Sequence, residues 1–174
     1  MMFTPKLYLR FASAIIPVLL SACSTYRDIP SNSPVDAVYA KMGPPSYQCK
    51  TKDGVQRLIW TQQPNGQYAY ATNVSSTGHI DKVVSILNED YFRQLDKGTW
   101  TQQDVVCMFG PPAETGRIGW GEKNELIWTY RYKQSNYWNN LMYVYFGRYG
   151  EAVTHYHSGP DPRYERDRFF IFGD

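Results

Sequence analysis

Few side chains in this sequence are equipped for covalent, metal or acid–base chemistry: three histidines, three cysteines and scattered carboxylates. His155 and His157 alternate on one face of an extended run, a spacing that can hold zinc. No third ligand stands near them in sequence, and His79 is remote. Cys107 lies within Val105-Val106-Cys107-Met108-Phe109, an apolar stretch of helical character, where a thiol packs as a small hydrophobe and is not activated. A Cys49–Cys107 disulfide is one outcome for the remaining pair, and two separate thiols are the other. Asp36, Glu89, Asp90 and Asp104 fall where caps and turns want an acid. The sequence holds no phosphate loop, nucleophile elbow or zincin helix. The expectation is a protein that is not an enzyme, with no catalytic residue, no metal and no cofactor.

Composition narrows the classes further. A chain of 174 residues suits one domain or two small repeats and excludes a large multidomain enzyme. An aromatic share of 16%, including 15 Tyr, favours a β-rich fold. Residues 1–22 carry Lys6 and Arg10 and no acid, so the rest of the chain balances its bases and acids. A neutral remainder gives no reason to expect a nucleic-acid partner.

Residues 1–22 read as a secretory signal, with Lys6 and Arg10 ahead of an apolar run from Phe11 to Leu20. That run is too short to span a bilayer, which takes about 20 residues. Leu20-Ser21-Ala22-Cys23 resembles the lipobox of bacterial lipoproteins. The resemblance implies cleavage after Ala22, a diacylglycerol on the Cys23 thiol and an acylated new amine. Two or three chains, at roughly 0.8 kcal/mol per buried methylene, anchor durably in membrane lipid. Ser24, where aspartate would favour inner-membrane retention, implies the outer membrane and a periplasm-facing domain. Residues 23–32 are then a lipidated N-terminus and polar tether, of which Ser24 to Asn32 reach about 30 Å at most.

The positioning elements come in duplicate. Met42-Gly43-Pro44-Pro45 recurs as Phe109-Gly110-Pro111-Pro112, Leu58-Ile59-Trp60-Thr61 as Leu126-Ile127-Trp128-Thr129, and Gly78 as Gly150. Each unit opens with a helix. Thr101 and Asp104 form a capping box in the second copy, while Ser33 caps the first with Pro34 at its first helical position. Gly43 and Gly110 are placed to end these helices in the left-handed conformation. A further helix is expected over 88–97.

After each Gly-Pro-Pro the period becomes two, predicting strands over 56–62, 67–74 and 79–87, then near 126–132, 141–146 and 151–157. Pro64-Asn65-Gly66 marks a hairpin turn. The fold class is α+β: two tandem helix–β-meander repeats at 33–87 and 88–158, with helices packed on one face of antiparallel sheet. A C-terminal tail follows over 159–174.

Phe92-Arg93-Gln94-Leu95-Asp96-Lys97-Gly98-Thr99-Trp100-Thr101, then Asp104-Val105, Phe109-Gly110-Pro111-Pro112, Trp128-x-Tyr130-x-Tyr132 and Val144-x-Phe146-x-x-x-Gly150, resembles the SmpA/OmlA (BamE-like) family. Residues 33–87 look like a degraded first copy, and the doubled unit is similar to the tandem architecture of β-lactamase inhibitor protein. The chain departs from the family in being doubled and in placing Gly147 where an acidic turn residue is common. The resemblance implies a non-enzymatic outer-membrane lipoprotein that binds envelope proteins, such as the machinery that assembles β-barrel proteins. The competing reading is a periplasmic inhibitor or sensor module.

Trp60, Trp128, Tyr130, Tyr132, Val144 and Phe146 are expected to cover the Val105/Phe109 stripe. Arg131, Tyr143 and Tyr145 then fall on the opposite face, with the side-chain types that protein-binding surfaces favour. If the repeats packed through that face, the same tyrosines would be core. Phe169-Phe170-Ile171-Phe172 in the tail is expected to dock on the domain.

Overall fold

Each half of the chain begins with a short helix that a glycine stops. The computed structural model describes residues 26–121 and 124–165; the signal segment, Cys23 and the Phe169–Phe172 run lie outside them. Helix α1 is Val35–Met42, helix α2 is Glu89–Phe92 continued by a 3-10 turn over Arg93–Asp96, and helix α3 is Gln102–Phe109. In α3 the expected capping box is formed. The Asp104 N–H donates to Thr101 Oγ1 at 3.2 Å, and the Thr101 N–H donates to Asp104 Oδ2 at 2.9 Å. Helix α1 differs. Pro34 itself occupies the N-cap with no side-chain cap, and the Ser33 hydroxyl donates to Pro30 O instead. Backbone bonds to a neighbouring segment, Val35 N to Gly78 O and Ile80 N to Ser33 O, stitch that helix start down.

Burial alone would raise the pKa of Asp104, but the hydrogen bonds from Thr101 and the Lys52 ammonium at 3.2 Å outweigh it and leave it lowered. A lowered folded-state value means the contribution is present above the unfolded pKa and disappears as pH falls through the folded one. Asp104→Asn is therefore expected to cost about 1 kcal/mol at pH 7 and progressively less below about pH 4, read by urea unfolding across pH.

Gly110 ends α3 at φ 83°, ψ 180°, and Gly43 ends α1 at φ 75°, ψ −175°. This is not the left-handed helical conformation expected from sequence but the extended positive-φ region open essentially to glycine alone. It turns the chain straight into the following Pro-Pro. A Cβ on Gly110 would also meet Ile59 Cγ2 at 3.3 Å. Gly110→Ala is expected to lose roughly 1–3 kcal/mol, measured as a lower denaturation midpoint.

Two four-stranded antiparallel sheets follow the helices in tandem, each a simple meander. The first contains β1 (Tyr47–Lys50), β2 (Gln56–Thr61), β3 (Ala69–Val74) and β4 (Val84–Ser85). The second contains β5 (Glu114–Ile118), β6 (Glu125–Gln134), β7 (Trp138–Phe146) and β8 (Val153–Pro160). Strands β1 and β5 were not expected, and the 79–87 run is a strand only at β4. Its apolar residues anchor singly, with Ile80 and Val83 in one core cluster and Ile86 and Leu87 in the other.

The layering comes from the alternation along β2. Leu58 and Trp60 face α1 and pack with Val38, and the Trp60 indole N–H donates to Gly43 O at 3.0 Å. Ile59, with Ala69 and Ala71, faces the other way and joins Phe92, Val105 and Phe109. The second sheet closes that cluster with Tyr130, Tyr132, Met142, Val144 and Phe146. The order is helix, sheet, helices, sheet. Five of the six residues expected over the Val105/Phe109 stripe are there; Trp60 instead serves α1. The Phe92 and Phe109 rings sit 4.9 Å apart, and Tyr130 Oη donates to Gly110 O at 3.1 Å. Aromatic pairs of this kind add about 1 kcal/mol each beyond their burial.

Three further features tie the halves and ends together. Cys49 on β1 and Cys107 on α3 form a disulfide, which decides that alternative. The buried Arg57 guanidinium donates to Asn73 Oδ1 and to Met108 O near the end of α3, where a cation suits the helix dipole; burial nevertheless pushes its pKa down. The expected tether is folded from Tyr26 onward. The Tyr26 ring lies 4.1 Å from that of Tyr70, Ile29 is buried, and Asn32 N donates to Ile80 O. The tail boundary moves as well. Strand β8 runs to Pro160, Asp161 is buried, and a short helix α4 (Pro162–Glu165) follows.

Candidate binding surface

The second sheet has a face turned away from all the core helices. Strand register places Ile127, Thr129 and Arg131 of β6 on it beside Tyr145, Tyr143 and Leu141 of β7, with His155, His157 and Gly159 of β8 beyond them. None of the apolar residues on this face belongs to either core cluster. The repeats therefore do not pack through these tyrosines; they pack through Ile59, Ala69 and Ala71 against α3.

The expected partner-binding trio separates here. Arg131 is only 4% exposed and acts as an internal clamp. Its guanidinium donates to Asp161 Oδ2 at 2.5 Å, Glu114 Oε1 at 2.6 Å and Pro64 O at 2.9 Å. The Gln63 side-chain amide pairs with the backbone N–H and C=O of the same residue. Alternation correctly put Arg131 on the outer face, but the β2–β3 loop of the first repeat folds over it. Tyr145 is 8% exposed, with the His155 ring stacked 4.1 Å away. Tyr143 is half-buried beside His157, ring centroids 5.2 Å apart. Burial pushes the hydroxyl pKa of both tyrosines up, so they remain neutral donors at physiological pH.

His155 and His157 share this face, as the spacing foretold, yet among the described residues no group of three potential metal ligands occurs. The two imidazoles instead stack on tyrosines, forming an aromatic strip across β7 and β8. Catalytic geometry does not assemble around Cys107, whose sulfur is committed to the disulfide.

Sequence reasoning missed the ends of this sheet. At one end, the turn after β5 raises Trp120 between Gly119 and Gly121, both at positive φ, and leaves its indole 92% exposed. Ile118 and Tyr149 are exposed there too, and Arg117 donates to Arg148 O, which ties the β5–β6 and β7–β8 turns together. At the other end, the β6–β7 turn carries Tyr137 and Trp138, 77% and 53% exposed. The Gly-Trp-Gly triplet was the available signal for the first group, since paired glycines free a bulky residue from local packing. Cys23, the proposed lipidation position, lies outside the described residues. Among those described, no helix is long and apolar enough to cross a membrane. No protein-family model, curated protein or solved structure matches the chain.

Proposed function

We propose that this chain is a lipid-anchored, non-enzymatic binding module of the bacterial envelope, held to the outer membrane through acylated Cys23 and facing the periplasm. Its tandem helix–meander design would be of the BamE-like kind. The observation that carries the reading is the outer face of the second sheet, outside both core clusters, with Tyr143 and the stacked histidines leading to the exposed Ile118, Trp120 and Tyr149 tip. Tyr and Trp are the side chains that most often anchor protein partners, because each buries a large ring while keeping a polar edge. The Cys49–Cys107 disulfide accords with an oxidising compartment. On this reading the partner is an envelope protein, the β-barrel assembly machinery being the first candidate.

One feature favours the inhibitor alternative. An indole raised on a glycine-flanked turn is shaped to enter a cleft, as an inhibitory loop enters an enzyme. Co-purification from detergent-solubilised membranes separates the two: barrel-assembly subunits support the first, a soluble periplasmic hydrolase the second. Trp120→Ala and Tyr143→Ser are expected to lower capture about tenfold each while leaving the melting temperature nearly unchanged. Capture that survives both substitutions overturns the placement of the binding surface.

A further inference from the structure

We infer that the end of the molecule carrying the β6–β7 turn is a lipid-contact face, with Tyr137 and Trp138 seated in the headgroup layer of the leaflet that holds Cys23. The inference rests on the acylation of Cys23 proposed above. Three residue steps separate Cys23 from Tyr26, about 10 Å of chain at most. Beyond Tyr26 there is no slack, because its ring is packed on Tyr70, Ile29 is buried and Asn32 is bonded to Ile80.

Where Tyr26 sits therefore decides what touches the membrane. Tyr26 and Arg27 line one open cleft with Tyr68, Tyr70, Ser135 and Asn136, so the chain enters the fold beside the β6–β7 turn. Ser135 and Asn136 are the positive-φ residues of that turn, and Tyr137 and Trp138 follow immediately. The headgroup layer of one leaflet is roughly 5–8 Å deep, comparable to the leash. A domain held that closely brings its nearest rim into the layer.

The chemistry of the rim suits it. Tyr and Trp rings favour the membrane interface, where an apolar body meets acyl chains and a polar edge meets headgroups. The Tyr137 and Trp138 rings lie 5.9 Å apart and form one patch. Nearby charges are of both signs, Glu165 among them on the cleft that Tyr137 and Trp138 line, and several are occupied within the protein. Asp90 pairs with Arg93, Glu89 accepts from Ser135 N, Lys133 donates to Tyr137 O, and the Arg27 guanidinium bonds the Tyr26 hydroxyl. Aromatic burial, and not net charge, drives this contact. The Trp120 tip cannot share it. Strand β6 runs the ten residues Glu125–Gln134 between the two ends, about 30 Å, which leaves that tip pointing away from the lipid.

The full-length protein, reconstituted in phosphatidylcholine vesicles with or without bromine on the upper acyl chain, reads this directly. Bromolipid should quench part of the tryptophan emission. The quenched part should fall about twofold or more in Trp138→Phe and stay unchanged in Trp120→Phe. Quenching that persists in Trp138→Phe, or vanishes in Trp120→Phe, overturns the orientation. The intact mass of the same sample separates the layers of the argument. An acylated protein with Trp138 unquenched sinks this inference and leaves the anchor standing, whereas an unacylated Cys23 sinks both.

Discussion

Arg131→Met is expected to destabilise the protein by about 3–5 kcal/mol, the usual consequence of removing one partner from a buried ion pair. The substitution strands the Asp161 carboxylate, whose side chain is fully enclosed, and leaves Pro64 O without its guanidinium donor. The exposed Glu114 carboxylate simply returns to water and adds little. Because the contacts of Arg131 join the β2–β3 loop to β5, β6 and the segment after β8, the loss should appear as a lower midpoint for the whole chain, not as fraying at one end. The double change Arg131→Leu with Asp161→Leu removes both charges and should recover at least half of the loss, since well-packed apolar replacements of buried pairs are commonly neutral. Urea denaturation of the three proteins tests this. A single variant that loses less than about 1 kcal/mol would show that the clamp is ornamental.

Breaking the covalent link should cost as much. Cys49 and Cys107 are 58 residues apart in sequence, and closing a loop of that length in the unfolded chain is worth about 4 kcal/mol by chain-entropy reasoning. Cys49→Ser with Cys107→Ser is therefore expected to lower the melting temperature by roughly 10 °C. The effect should be a loss of stability with the fold retained, because Ile59, Ala69 and Ala71 still pack against α3. If the substituted protein keeps its wild-type midpoint, the covalent link adds nothing to the non-covalent contacts that join the repeats.

Much of this architecture was legible in the residues. The paired Gly-Pro-Pro stops located two helices, and the Thr101–Asp104 capping box stood as written, because caps depend on neighbours within one turn. Alternation along Leu126–Tyr132 and Met142–Phe146 gave the correct faces for the same reason. Strand β5 escaped notice because it lacks an apolar alternation, and β1 because its alternation, Tyr47 and Cys49 against Gln48 and Lys50, spans only four residues. Glu114–Ile118 is exposed throughout and is recruited by pairing with β6, a tertiary cause. The candidate site was read less well. Arg131 was placed on the right face and given the wrong role, since no local pattern reveals a loop arriving from residues 63–64 or a carboxylate from Asp161. The disulfide remained an open alternative until the distance between β1 and α3 was known. Ser24–Asn32 looked like a leash because it is polar, whereas from Tyr26 onward the Tyr26 and Ile29 side chains fasten the chain to the fold.

The first sheet lies between α1 on one side and α2 with α3 on the other, so four of the six positions on β2 are buried. Substitution there disturbs two packing layers at once, and such strands should drift slowly over evolutionary time. The second sheet has only one side so constrained. Its turn tips and the exposed outward positions of β8, unlike the buried Arg131 and Tyr145, can accumulate change while the scaffold stays intact. Diversity among related chains should concentrate on the turn tips and on His155 and His157 of β8 and spare their inward neighbours.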